Sequence, residues 1–253
     1  ALAMGFVMIG LTAYVAVASQ PPVAEAALRT VWPARVDALA IVTLVGGTVG
    51  GYITFAGAHR LLDAGVTGAE AIPEVTRSAV TAIGIASLMR VVLFLAALGV
   101  VAHGHALDPT NPAGAVFRQA TGAVGYRLFG VVMWAAAITS VVGAAYTSVS
   151  FLRGFGGAWA RRPAGMIVAF ILVSTAIFLA VGRPVQVLIL VGALNAFILP
   201  LSLAAMLVAA RRPAIVGGYR HPRVLTAAGV AVAACTAALG AWTLLRDVPA
   251  LLR

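Results

Sequence analysis

The sequence predicts an all-α polytopic membrane protein, and three observations carry that prediction. Of the 253 residues, 62% are hydrophobic and only 9% charged, the mean hydropathy is +1.05, and the apolar residues gather into seven long runs. A soluble domain carries about 45–50% apolar and about 25% charged residues. A chain of this length has too little interior to hide the excess, whereas a bilayer is itself apolar and removes the problem.

A spanning helix needs about 20 mainly apolar residues. The candidates are Ala1–Ser19, Val36–Ala58, Ala79–Ala102, Leu128–Leu152, Ala164–Val181, Pro184–Ala209 and Val224–Leu245, and together they form a single transmembrane domain over residues 1–253. The stretches between them hold nearly all the Pro, Arg, Asp and Glu. The first span opens without an initiator Met and without a basic leader, so it does not read as a signal peptide and predicts residues upstream. The second carries Gly46-Gly47-Thr48-Val49-Gly50-Gly51 at its centre. The third carries Arg90, a charge whose depth is costly and functional by default, unless it snorkels or pairs with a helix carbonyl. The fourth holds Thr139, Ser140, Thr147, Ser148 and Ser150 with Tyr146; the sixth holds Gln186, Asn195, Ser202 and Pro200. Cys235, the sole cysteine, lies in the seventh and reads as a packing residue.

The formal charge of +10 comes from 17 arginines and seven acids, with no lysine. These arginines sit singly or in pairs between apolar runs, which suits loops facing anionic headgroups rather than a nucleic-acid groove. Alternate connections carry nine arginines against seven, and the short loops Arg153–Pro163 and Arg211–Arg223 carry the clearest excess. The positive-inside rule puts those loops in the cytoplasm and the C-terminus outside the cell membrane, extracellular or periplasmic. Trp32 and Trp159 flank span ends, as interfacial anchors do.

Two readings of the glycine cluster stand. Each glycine weakens a helix by roughly 1 kcal/mol relative to Ala, which lipid tolerates where freed backbone groups line a polar cavity. Transporters use such broken helices to coordinate cations at the midplane, and on that reading the backbone is irregular within Gly46–Tyr52. Gly46/Gly50 and Gly47/Gly51 are equally two small-xxx-small pairs for close helix packing. His103 and His105, near Asp108, resemble a metal site but lie in a loop without further ligands. No carboxylate falls in the interior of any span, so these residues alone make a poor site for a hard divalent cation.

Over its whole length the chain resembles the Nramp family of divalent metal transporters, and within it the Nramp-related magnesium transporter branch. Thr48-Val49-Gly50-Gly51-Tyr52 stands where that family's sixth helix has a T-V-M-P-H run; AITSVVGAAYTSVSFLRGF resembles the eighth helix and LNAFILPLSL the tenth. The resemblance implies a LeuT-like inverted-repeat fold, here helices five to eleven, without the first four helices and their D-P-G-N metal motif. Asp108-Pro109-Thr110-Asn111 lies in a polar loop and is not that motif. The resemblance further implies a metal site at the Gly47 carbonyl and at Gly50, which replaces the family's thioether. Gly46, Thr48, Val49, Gly51, Tyr52 and Thr54 would line the pathway, with Tyr146, Gln186 and Asn195 lining the cavity. A soft thioether suits transition metals; its loss leaves room for hydrated Mg²⁺. The expected activity is therefore secondary transport of Mg²⁺ or Mn²⁺ by alternating access, with the cation as cargo, no resident cofactor and no enzymatic chemistry. Gly57, where many family members have a His, argues against obligatory proton coupling. An organic-solute or amino-acid permease of the same fold and a non-transporting partner subunit are the competing readings.

Overall fold

The computed structural model describes residues 2–48, 59–153, 162–182 and 184–246. Among them the regular structure is helical throughout: α1 (Leu2–Ala18), α2 (Val23–Val31), α3 (Ala38–Thr48), α4 (His59–Asp63), α5 (Ile72–Ala102), α6 (Pro112–Arg153), α7 (Pro163–Val181), α8 (Pro184–Ala209), α9 (Pro213–Val216) and α10 (Arg223–Arg246). Five of these helices, α5, α6, α7, α8 and α10, are long and apolar enough to cross a membrane. They coincide with the third to seventh runs read from the sequence. The first run is α1, which bends by 101° into α2, and the second contributes the shorter apolar helix α3.

The chain divides into two compact units. Unit 1 comprises Ala1–Ala34 and Ala71–Gly182; unit 2 comprises Arg35–Glu70 and Arg183–Arg253. In unit 1, α1 packs against α5 and α6, and α7 packs against α6. Its core is Val15, Ala96, Val100, Val116, Phe117 and Phe129. Phe117 and Phe129 stack with ring centroids 4.3 Å apart and planes 20° from parallel, an arrangement worth about 0.5–1.5 kcal/mol beyond area burial. The two rings lie on either side of Gly122, whose φ of 68° and ψ of −160° interrupt α6. Such a conformation is open to glycine and costly for other residues.

Several boundaries differ from the hydropathy reading. The connection between the third and fourth runs contains the first sixteen residues of α6, entered through Asn111, whose Oδ1 accepts the Gly114 N–H at 3.0 Å, followed by Pro112 at the first helical position. This segment escaped the hydropathy reading because it is short and half polar, although its capping residues were visible. Helix α2 was also hidden in a connection. It is amphipathic, and its exposed Arg29–Glu25 pair, 3.6 Å apart, contributes little. Helix α5 begins at Ile72 rather than Ala79, with Pro73 in its first turn.

In unit 2, α3, α8 and α10 pack on one another. Glycine makes this possible. A Cβ on Gly46 would overlap the Gly192 carbonyl of α8, and one on Gly192 would come within 3.0 Å of the Thr43 carbonyl. Gly240 of α10 likewise accommodates the Phe197 ring, 2.7 Å from where a Cβ would stand. Close approach of backbones is how membrane helices gain van der Waals contact when lipid removes the hydrophobic drive between them.

Candidate functional site

The α3–α8–α10 unit contains oxygen atoms with no hydrogen bond to any described residue. Helix α3 starts at an Asp37 cap, whose Oδ1 accepts the Ala40 N–H at 2.9 Å, and is described for 11 residues to Thr48. At a 1.5 Å rise those residues cover about 16 Å, roughly half the hydrocarbon thickness. The Thr43 hydroxyl, one turn before Gly47, is buried without a hydrogen-bond partner among the described residues, and so is that of Thr243 on α10. Buried hydroxyls are normally bonded, often to the carbonyl one turn back. On α8, Pro200 lies inside the helix and brings no N–H to the carbonyl of buried Ala196. Asn195, half-buried, makes no hydrogen bond to any described residue.

Thr43, Thr243, Ala196 and Asn195 thus supply hydroxyl, carbonyl and amide oxygens. Hard cations take such ligands, and none of the four offers a soft sulfur. Sequence reasoning had singled out only Asn195. Thr43 and Thr243 were missed because a threonine in an apolar helix reads as self-bonded; the burial that orphans them comes from helix packing.

The predicted site residues fare unevenly. Gly46 is buried against Gly192 of α8. Gly47 and Thr48 form the last turn described in α3, and no other described helix comes within 4 Å of where a Gly47 Cβ would stand. Gly46, Gly47 and Thr48 are all helical, and the remainder of the Gly46–Tyr52 stretch expected to be irregular lies outside the described residues. Val49, Gly50, Gly51, Tyr52 and Thr54 lie outside the described residues, as does Gly57. Gln186 is exposed in the first turn of α8, about 13 Å along the helix from Asn195. The two are therefore not at one level. Tyr146 is half-buried on α6 in unit 1.

The loop features have local structural tasks. The Nδ1 of His103 lies 2.7 Å from the Gly99 carbonyl, at the C-terminus of α5. Asp108 Oδ1 accepts the Thr110 N–H at 2.8 Å and the Thr110 hydroxyl at 2.7 Å. These bonds, the hydroxyl's first, hold the exposed Asp108 carboxyl below its ordinary pKa. Among the described residues no group of three or more His, Cys, Asp or Glu side chains is placed to hold a metal ion.

Comparison with known proteins agrees with this architecture. The chain is 54% identical over 247 residues to an uncharacterized membrane protein, YcsG, of Bacillus subtilis, and 55% identical over 242 residues to an uncharacterized membrane protein of Haemophilus influenzae. These matches cover 98% and 96% of the chain but 61% of each relative, so the chain spans about three fifths of the length of the curated relatives it matches. The profile of the natural resistance-associated macrophage protein-like family matches residues 1–246. With its apolar helices and that match, the chain belongs to the Nramp family of helical, LeuT-like membrane proteins.

Proposed function

We propose that the protein to which these residues belong carries divalent metal ions, Mg²⁺ or Mn²⁺, across the cell membrane by alternating access. Family membership supports metal-ion transport in general. The observation that carries the narrower reading is the set of unbonded oxygens in the α3–α8–α10 unit, beside the helix that leads into the glycine cluster. Oxygen donors without sulfur favour Mg²⁺ and Mn²⁺ over softer ions. In this reading the Gly47 carbonyl and the space at Gly50 complete the site, with carboxylates supplied from outside these residues. The C-terminus faces the extracellular or periplasmic side.

Competition uptake tests it in the full-length protein. With a fixed Mn²⁺ tracer and rising Mg²⁺, Gly50→Met adds a thioether and fills the space a hydrated ion needs. Mg²⁺ should compete at least tenfold less well, which corresponds to about 1.4 kcal/mol, while Mn²⁺ uptake persists. Equal Mg²⁺ competition in parent and variant removes Gly50 from the ion site. A thermal shift with amino acids, and none with metals, favours the organic-solute permease instead.

A further inference from the structure

Unit 1 contains a pocket of about 470 Å³ between α1, α5 and α6, lined by the thioethers of Met4, Met8, Met89 and Met133 together with Thr12 and Arg90. Two of these residues are electrostatically incomplete. Arg90 is exposed and makes no ion pair or hydrogen bond with any described residue. Thr12 is 1% exposed, and its hydroxyl has no partner among the described residues. That is unusual here: Thr30, Thr121, Thr147, Thr175, Thr226 and Thr236 each donate to the carbonyl one turn back.

Arg90 lies about 18 Å along α5 from Ala102, near the middle of the apolar run. Half the hydrocarbon thickness is about 15 Å, too far for the side chain to reach an interface or a lipid phosphate. Intramembrane arginines pair with acids or carbonyls on neighbouring helices. The chain's seven acids all lie outside the interior of its spans, and Asp37 is occupied in capping α3. A soft metal on the thioethers would face the repulsion of the guanidinium.

We propose that this pocket receives an acidic side chain on a membrane-spanning segment outside these 253 residues, which pairs with Arg90 and accepts the Thr12 hydroxyl. The relatives supply the length for such a segment, since these residues cover only 61% of each. Flexible, polarizable methionine walls suit a surface that a second helix must repack against. The pair is an assembly contact, and it stands or falls independently of the transport reading.

The test is a double-mutant cycle in the full-length protein, read as the melting temperature in lipid nanodiscs. Each intramembrane Asp or Glu beyond these residues is neutralised, alone and with Arg90→Gln. The expected result is that Arg90→Gln lowers Tm by about 5 °C or more, that one neutralised acid does the same, and that the two together cost no more than either alone. Arg90→Asp combined with that acid→Arg should recover much of the loss. Should Arg90→Gln fail to fold, Arg90→Lys, which keeps the charge, serves in the cycle. An unchanged Tm overturns the proposal, and so does additivity of Arg90 with every acid. Loss of Tm on delipidation that anionic phospholipid restores, without coupling to any acid, assigns the pocket to lipid and overturns it equally.

Discussion

The two units pack their membrane helices with different emphasis, although unit 1 too has a buried glycine, Gly99, close against Ser19. Unit 1 interlocks large side chains: Phe117 stacks on Phe129 across the Gly122 break, and Val15, Val100 and Val116 close around them. Unit 2 removes side chains and brings backbones together at Gly46, Gly192 and Gly240. Large apolar side chains fill the space around the Phe117–Phe129 stack. The hydroxyls of Thr43 and Thr243 in unit 2, like that of Thr12 in unit 1, are buried without a hydrogen bond to any described residue.

The largest effect should come from breaking the glycine contact. Gly46→Val forces a Cβ into the Gly192 carbonyl, whereas the Cβ of Gly47→Val has no other described helix within 4 Å. Both carry the same helix-propensity change, so their difference isolates packing. Gly46→Val should cost more than about 4 kcal/mol, in the range reserved for severe overpacking, and Gly47→Val about 1 kcal/mol or less. Melting of purified protein compares them, and similar losses would dissolve the distinction between the units.

The counterpart in unit 1 is Phe117→Ala, which empties a fully buried position. A loss of about 3 kcal/mol is expected. Because the damage is confined to unit 1, the Mg²⁺ competition profile of the folded fraction should not change.

A smaller effect sharpens the assignment of the orphan hydroxyls. Thr243→Val replaces an unpartnered buried hydroxyl with a methyl group of similar shape. It should leave stability unchanged or raise it by up to about 1 kcal/mol, while lowering divalent uptake. A fall in both would mean that the hydroxyl is bonded in the assembled protein and serves structure.

The smallest effect lies in the loop of unit 1. The Asp108 carboxyl is held below its ordinary value of 3.8 by Thr110. A depressed carboxylate contributes stability above that value and loses it as pH falls through the lower folded pKa. Asp108→Asn should therefore flatten the melting-temperature profile below about pH 4 and leave neutral pH nearly untouched. Identical acid limbs in the two proteins would remove the Thr110 contacts from the account.

Much of the architecture was legible in the sequence. An apolar run of about 20 residues has one stable solution in lipid, because only a helix satisfies its own backbone. Composition therefore determined the all-α class and the approximate location of the apolar runs, and the T-V-G-G-Y and LNAFILPLSL segments pointed to the family. Hydropathy could not find α2 or the start of α6, because short, half-polar helices near an interface resemble loops. Their local signals, the Asn111-Pro112 entry among them, were present but outweighed.

Tertiary structure alone decided what the individual residues do. The sequence left Gly46 open between a broken helix and a packing surface, and the structure adds its close contact with Gly192. It marked Asn195 but gave no reason to choose Thr43 or Thr243 among many helical threonines. It flagged Arg90 as costly without showing a pocket beside it. The physical reason is common to all of these. Lipid-facing and helix-facing positions are equally apolar, so periodicity along a span carries little information about which face meets a neighbour. Only the approach of a second helix determines which carbonyl blocks a Cβ, which hydroxyl is orphaned and which charge still requires a partner.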